Sequence, residues 1–373
     1  MIYLDYQATT PLAPEAHAAM APWLGDRFGN PHSSHRMGRE AAAVVEVARD
    51  QVAAALGSEG SAGRVVFTSG ATEALSWAIQ SSLRGSRRRA VVTIATEHGC
   101  VLETVRAMER EGFEARVLRV GADGYVDLDS ADEAIDEDVA LVAAMLVNNE
   151  IGVIQPIAAL AGMARAAGAR VLCDAVQGFG RVDLPLDACD MVALSAHKIH
   201  GPKGIGALWL RDGVTLTPLI HGGGQQDGLR PGTLAPALCA GLGAAAALAD
   251  ERRDEDLAHV ALLWNQARAA LGPGWPVNGG TTRRYHGNLN VRRAGLDAAR
   301  LISELRGVAF SAGSACASGS AKPSRVLRAI GLSDAEARGS IRLGFGRYTT
   351  ADEIDTGMAL IREAALRQEA WAA

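Results

Sequence analysis

An α/β fold built on a largely parallel sheet is predicted by two features of this 373-residue chain: short apolar strand-like runs alternate with helix-like stretches, and one of those stretches has a clear helical period. The runs are Ala90–Ala95, Ala115–Val120, Ala140–Val147, Arg170–Cys173, Met191–Leu194 and Ile205–Leu210. The periodic stretch is Arg39–Leu56, where Val44, Ala48, Val52 and Leu56 recur every four residues and charges take the other faces, so this helix packs against the rest of the protein. An Ala- and Leu-rich stretch, Pro236–Leu271, encloses the charged segment Asp250–Asp256, and the character of the chain changes there, which places a domain boundary near residues 250–275. Beyond it come an extended segment, His286–Val291, a helix-like Asp297–Arg306 and a closing helix from Ala351, together a small α+β domain. There is no internal repeat.

Composition narrows the partners. A hydrophobic content of 48% supplies cores for two domains. A net charge of -5 gives no general attraction for phosphate backbones or anionic lipid. The one basic cluster, Arg84, Arg87, Arg88 and Arg89, has Gly85 and Ser86 inside it and reads as a solvated loop. The first residues lack a basic start followed by an apolar core, and no uninterrupted apolar run reaches membrane-spanning length, so a cytoplasmic protein is expected. Five cysteines, at 100, 173, 189, 239 and 316, form no CxxC pair and no zinc-site spacing; reduced thiols and no metal are expected.

Four segments put reactive groups just past strand ends, where α/β sheets bind ligands. The run Val171–Cys173 ends in Asp174, with Gln177 nearby; a carboxylate there needs a cationic or hydrogen-bonding partner such as a protonated pyridine nitrogen, or else caps the next turn. After Met191–Leu194 comes Ser195-Ala196-His197-Lys198-Ile199-His200-Gly201-Pro202-Lys203, which is either a basic surface turn or the site of a Schiff-base lysine whose proton is displaced by its surroundings. Phe67–Ala74 passes from a short strand through Gly70 into a helix, where backbone amides and the Thr72 hydroxyl suit a phosphate, although a plain helix cap has the same look. His98, in Ala95–Cys100, is either a structural histidine or a ring placed to stack on a flat cofactor and move protons. Four strand ends offering a phosphate turn, a ring, a carboxylate and a lysine are poorly explained by chance. The segment Ser311–Ser320 is nearly all Ser, Ala and Gly around Cys316, as in a flexible exposed loop whose thiolate reaches a substrate or hands something onward, or in a linker with an incidental thiol. His221–Gly224 has the look of an esterase oxyanion element, but no GxSxG turn accompanies it.

In this order the segments resemble the cysteine desulfurases of the class V aminotransferase family, the NifS/IscS-like group, over nearly the whole chain. The motifs are YLDYQATTP (Tyr3–Pro11), FGNPHSSH (Phe28–His35), SGATEA, TEH, VNNEIGVIQPI, CDAVQ, SAHKIHGPKG, HGGG with RPGT (Arg230–Thr233), and GSAC. The resemblance implies a fold type I pyridoxal-phosphate transferase, similar to aspartate aminotransferase. Its large domain, residues 13–252, would hold a mostly parallel seven-stranded sheet, and residues 1–12 and 253–373 would form a small α+β domain. It implies pyridoxal 5'-phosphate carried on Lys198, with Asp174 on the ring nitrogen, Gln177 on the ring hydroxyl and His98 stacked on the ring. Ala71, Thr72, Ser195 and His197 would hold the phosphate, and Thr233 would reach the neighbouring subunit's phosphate, which makes a homodimer. Asn149, which also contacts the cofactor, and Arg342 match positions that bind the substrate carboxylate.

By the same resemblance the protein converts L-cysteine to L-alanine. Lys198 moves the α-proton, Cys316 takes the sulfur as a persulfide and His98 assists as acid or base. The sulfur passes to an acceptor protein, an iron-sulfur scaffold or a thio-cofactor pathway. Two departures stand out. Gln225 and Gln226 follow HGGG where relatives often carry a His and an acidic residue, and the chain stops about twenty residues past Thr350, without the longer tail that housekeeping members dock to a scaffold. A selenocysteine lyase or another C–S lyase of the class would keep Lys198 and Asp174 without needing the persulfide. A silent dimeric scaffold would lack a yellow chromophore.

Overall fold

The computed structural model describes residues 1–57, 63–313 and 323–372. The chain opens with β1 (Ile2–Tyr3), α1 (Pro14–Leu24) and α2 (Arg36–Ala55). An alternating series follows: β2 (Gly63–Thr68), α3 (Ala71–Arg84), β3 (Ala90–Ile94), α4 (Gly99–Arg110), β4 (Glu114–Leu118), α5 (Leu128–Ala134), β5 (Val139–Met145), α6 (Ile157–Ala167), β6 (Arg170–Asp174), β7 (Met191–Ser195) and β8 (Gly206–Arg211). These strands form one seven-stranded sheet, ordered β2-β8-β7-β6-β5-β3-β4. Only β8 runs against its neighbours, so the sheet is mostly parallel, as expected.

The inner strands are almost wholly apolar because both faces are covered, whereas the edge strands β2 and β4 carry Arg64, Glu114 and Arg116. Alternate residues sort to opposite sides: Val92, Val142, Val171 and Val192 pack with α2, α6 and α7 (Pro236–Glu251), whereas Val91, Ala143, Leu172 and Met191 pack with α3 and α4. The helix expected over Arg39–Leu56 starts earlier, at Arg36, because the His35 ring accepts the Gly38 N–H at 3.3 Å and caps it. Three expected strands end early, at Ile94, Leu118 and Met145; past Met145 the chain turns into the site, and Val147 keeps only an isolated bridge to Ile154. The basic cluster is only partly a solvated loop. Arg84 closes α3 and pairs with Glu111, and Arg88 is half-buried, donating to the carbonyls of Val139, the first residue of β5, and Ala167, the last of α6.

The Ala-rich stretch forms α7 and, after a break at Arg252, α8 (Arg253–Leu271). Then come β9 (Asn288–Arg292), α9 (Ala298–Glu304), β10 (Val308–Ala309), β11 (Ser311–Ala312), α10 (Arg325–Ala329), α11 (Asp334–Arg338), β12 (Ser340–Gly344) and α12 (Ala351–Ala372). Strands β11, β12 and β9 form an antiparallel sheet, and β1 pairs with β10. A second apolar cluster joins α8, β9, β12 and α12, and Leu4 from the N-terminal segment is buried in it. The exposed loop predicted over Ser311–Ser320 does not begin at Ser311, because Ser311–Ala312 pair with β12 as β11 and Gly313 is buried; the rest of that segment, with Cys316, lies outside the described residues. Among the described residues no helix is long and apolar enough to cross a membrane, and no group of three or more His, Cys, Asp or Glu is placed to hold a metal ion.

Candidate active site

Parallel strands deliver their last residues to one edge of the sheet, and a cavity of about 610 Å³ opens there. Ala71, Thr72, His98, Asn149, Asp174, Gln177, Ser195, His197, Lys198 and Arg342 all line it, so the sequence-predicted site residues converge, with two exceptions. Thr233 is exposed and absent from this lining. Cys316 lies outside the described residues.

Asp174 ends β6 beside Met145 of β5. Burial raises its pKa to about 6, offset in part by the Val176 N–H on Oδ1 at 2.9 Å and by the charge of Lys198. Close behind it, the fully buried Glu97 accepts the Met145 N–H at 2.7 Å, and burial together with Asp174 pushes its carboxyl well above the usual range. Gln177 is held at both ends of its amide. It donates to the Gln7 carbonyl at 2.9 Å and accepts from Arg181 at 2.6 Å, and Arg181 in turn donates to the Lys198 carbonyl.

Lys198 follows β7 in a short 3-10 turn, and its Nζ donates to the carbonyls of Gln7 and Ala8, each at 2.7 Å. His98 caps α4: its Nδ1 accepts the Cys100 N–H at 3.2 Å and contacts Cys100 Sγ at 3.1 Å. The neutral ring therefore carries its proton on Nε2. Burial, and then the charges of Lys198 and Arg325, hold its pKa below the ordinary value. His197, beside Thr9 Oγ1 at 3.1 Å, falls to about 4, chiefly through burial and then Lys198.

Helix α3 begins at Ala71 with no side-chain cap, so its first amides stay available to an anion. Gly206 permits the close approach that forms this turn: a Cβ there would lie 2.8 Å from Gly70 Cα. Arg342, on β12, is buried. It donates to Asp5 Oδ1 at 2.8 Å and to the Asn149 carbonyl at 3.0 Å, while its Nε has no partner.

These groups fit pyridoxal phosphate. An uncapped helix start flanked by Thr72, Ser195 and His197 suits the phosphate, a buried carboxylate lacking full charge compensation suits a protonated ring nitrogen, and Lys198 lines the same cavity. Sequence reasoning assigned no role to Gln7, Ala8, Thr9, Glu73, Cys100 or Arg181. No local signal marks them, since Gln7 and Ala8 meet Lys198 across 190 or more residues of chain.

The Aminotransferase class-V family model matches residues 2–356. "Cysteine desulfurase IscS" of Rickettsia bellii is 43% identical over 370 residues, covering 96% of this chain and 90% of that protein. Its namesake in Rickettsia prowazekii is 42% identical with the same coverage. Among solved structures, a "NIFS-LIKE PROTEIN" superposes with a TM-score of 0.89 at 32% identity, covering 97% of this chain and 98% of that one. "SspA in complex with cysteine" gives 0.83 at 35%, covering 94% and 100%. With its seven-stranded sheet, its strand-end lysine and carboxylate and these relatives, the chain belongs to the class-V aminotransferase family.

Proposed function

We propose that this protein is a pyridoxal-phosphate-dependent cysteine desulfurase. The observation that carries the reading is the convergence of Lys198, Asp174, Arg342 and the open start of α3 on one cavity. When bound, pyridoxal phosphate draws electrons from the amino acid's α-carbon, which makes the α-proton removable. Lys198 Nζ takes and returns that proton. Asp174 holds the ring nitrogen protonated, Gln177 meets the ring hydroxyl and His98 stacks on the ring. The amides of Ala71 and Thr72, with Ser195 and His197, hold the phosphate. Arg342, with Asn149, binds the substrate carboxylate, and His98 Nε2 supplies a proton.

Cys316 thiolate attacks the substrate sulfur. The new S–S bond leaves a persulfide on the enzyme, the C–S bond breaks, and reprotonation gives alanine. In support, both flanks of residues 314–322 bond to partners or chain neighbours of site residues. Ser311 Oγ bonds Asp5, the partner of Arg342, and Ser324 Oγ bonds the Glu150 carboxylate, next to Asn149. Three residues from Gly313 reach at most about 10 Å. The sulfur passes to an acceptor protein for iron–sulfur cluster assembly or thio-cofactor synthesis, in the cytoplasm.

Residues 13–252 act as the cofactor domain, with residues 1–12 and 253–373 as the smaller one. The working unit is a homodimer. Leu24, Phe28 and Ile220 are 68%, 78% and 47% exposed in the single chain, and Thr233 is exposed and outside the lining of its own cavity, as a residue serving the neighbouring site would be.

The test is incubation of the purified protein with L-cysteine and a thiol reductant, measuring sulfide and alanine together. Equal amounts from a yellow protein are expected. Cys316→Ser keeps the colour and loses both products; Lys198→Ala loses the colour. Unchanged alanine from Cys316→Ser would sink the proposed nucleophile, and a yellow protein releasing neither product would point to selenocysteine.

A further inference from the structure

Bonds that the chemistry above does not use tie the loop after β8 to the phosphate turn. Gln226 (φ 50°, ψ 47°) and Asp227 (φ 58°, ψ 30°) are consecutive non-glycine residues in the left-handed region. Such backbone persists only where its surroundings over-determine it. Here they do. The Gln226 amide faces edge strand β2 as a neighbouring strand's peptide would, accepting the Phe67 N–H at 2.8 Å and donating to the Phe67 carbonyl at 2.9 Å. Only an amide can do both, because a carboxylate has nothing to donate. Four residues on, Arg230 Nε and Nη2 grip the Glu73 carboxylate at 2.8 and 3.1 Å in a largely buried pair. Glu73 Oε2 also accepts the Ser69 N–H at 2.7 Å. Within the loop, Gln225 Oε1 accepts the Gly232 N–H at 3.0 Å.

The bonds that Gln226 and Arg230 make to β2 and α3 end between Phe67 and Glu73, the strand end and first helical turn whose amides face the phosphate position. Glu73 also lines the cavity, so without its guanidinium partner a carboxylate would stand beside a bound phosphate, and like charges repel. We propose that Gln226 and Arg230 are positioning residues that brace the Phe67–Glu73 turn in its phosphate-holding shape and neutralise Glu73. The proposal rests on the functional reading above and adds to it what keeps the phosphate cradle shaped.

The test uses the full-length chain freed of cofactor, titrated with pyridoxal phosphate and, separately, with pyridoxal, which lacks the phosphate. Visible absorbance reports uptake. Arg230→Met and Gln226→Ala are each expected to weaken pyridoxal phosphate about tenfold and pyridoxal by less than about twofold. A general packing defect would weaken both compounds alike, and that result overturns the proposal, as does undiminished affinity for pyridoxal phosphate in both variants. Should Arg230→Met fail to fold, as judged by thermal unfolding, Gln226→Ala carries the same comparison. A wild type that takes up neither compound refutes the functional reading, and the brace with it; loss of phosphate selectivity confined to the variants cannot arise that way.

Discussion

Asp174 is the residue whose burial has the most direct thermodynamic consequence. Its folded pKa is about 6 against an ordinary value of 3.8, with burial as the main cause. Because the folded chain holds the proton more tightly, ionising this group costs stability: the cost is absent below pH 3.8, grows as pH rises towards 6 and is complete above it. Asp174→Asn removes it. The cofactor-free variant should therefore be more stable than the cofactor-free wild type by up to about 3 kcal/mol at neutral pH, and no more stable near pH 3.5. Urea unfolding at both pH values checks this, and a gain that does not depend on pH would contradict it. The loaded enzyme should respond in the opposite sense, losing activity, because the asparagine cannot hold the ring nitrogen protonated. Asp174 was legible in the sequence as an acid closing an apolar strand. Glu97 behind it was not, since nothing local tells a core carboxyl from an exposed one.

Helix α4 shows how one element serves both fold and chemistry. Its N-cap is a histidine whose Nδ1 is committed to the Cys100 N–H, which leaves Nε2 as the proton-bearing atom. Cap and chemistry are separable, because asparagine caps helices well but has no titratable proton. His98→Asn should unfold within a few degrees of the wild type, yet turn over cysteine about a hundredfold more slowly. A parallel loss of stability and turnover would mean that the residue acts only as a cap. Strands β3 and β5 to β8 were readable as apolar runs, since burial on both faces leaves few polar positions in them; the edge strand β4, with Glu114 and Arg116, was readable only over its apolar half. Strand β12 was not, because its Arg342 interrupts the apolar pattern while serving the site. The two-residue strands β1, β10 and β11 are too short to show any period.

At the scale of the whole molecule, the proposed dimer makes each site depend on two chains, Lys198 from one and Thr233 from the other. Lys198→Ala and Thr233→Ala chains, each impaired alone, should regain activity when mixed and allowed to exchange, because one of the two sites then draws both residues from intact positions. The absence of recovery after exchange, with dimers confirmed by sedimentation, would place Thr233 outside the shared site. The sequence by itself determined the layered α/β plan and ten of the twenty-two residues lining the cavity, Asn149 and Arg342 through motif resemblance and the strand-end groups because apolar runs and strand-end position are local properties of the chain. Only the tertiary structure decided which carbonyls receive Lys198, how Arg181 fixes Gln177, how Asp5 and Asn149 hold Arg342, and how Gln226 and Arg230 brace the phosphate turn. Those contacts, except that of Arg181 with Gln177, join residues far apart along the chain; they depend on where the folded backbone passes, and no short window of sequence contains both partners.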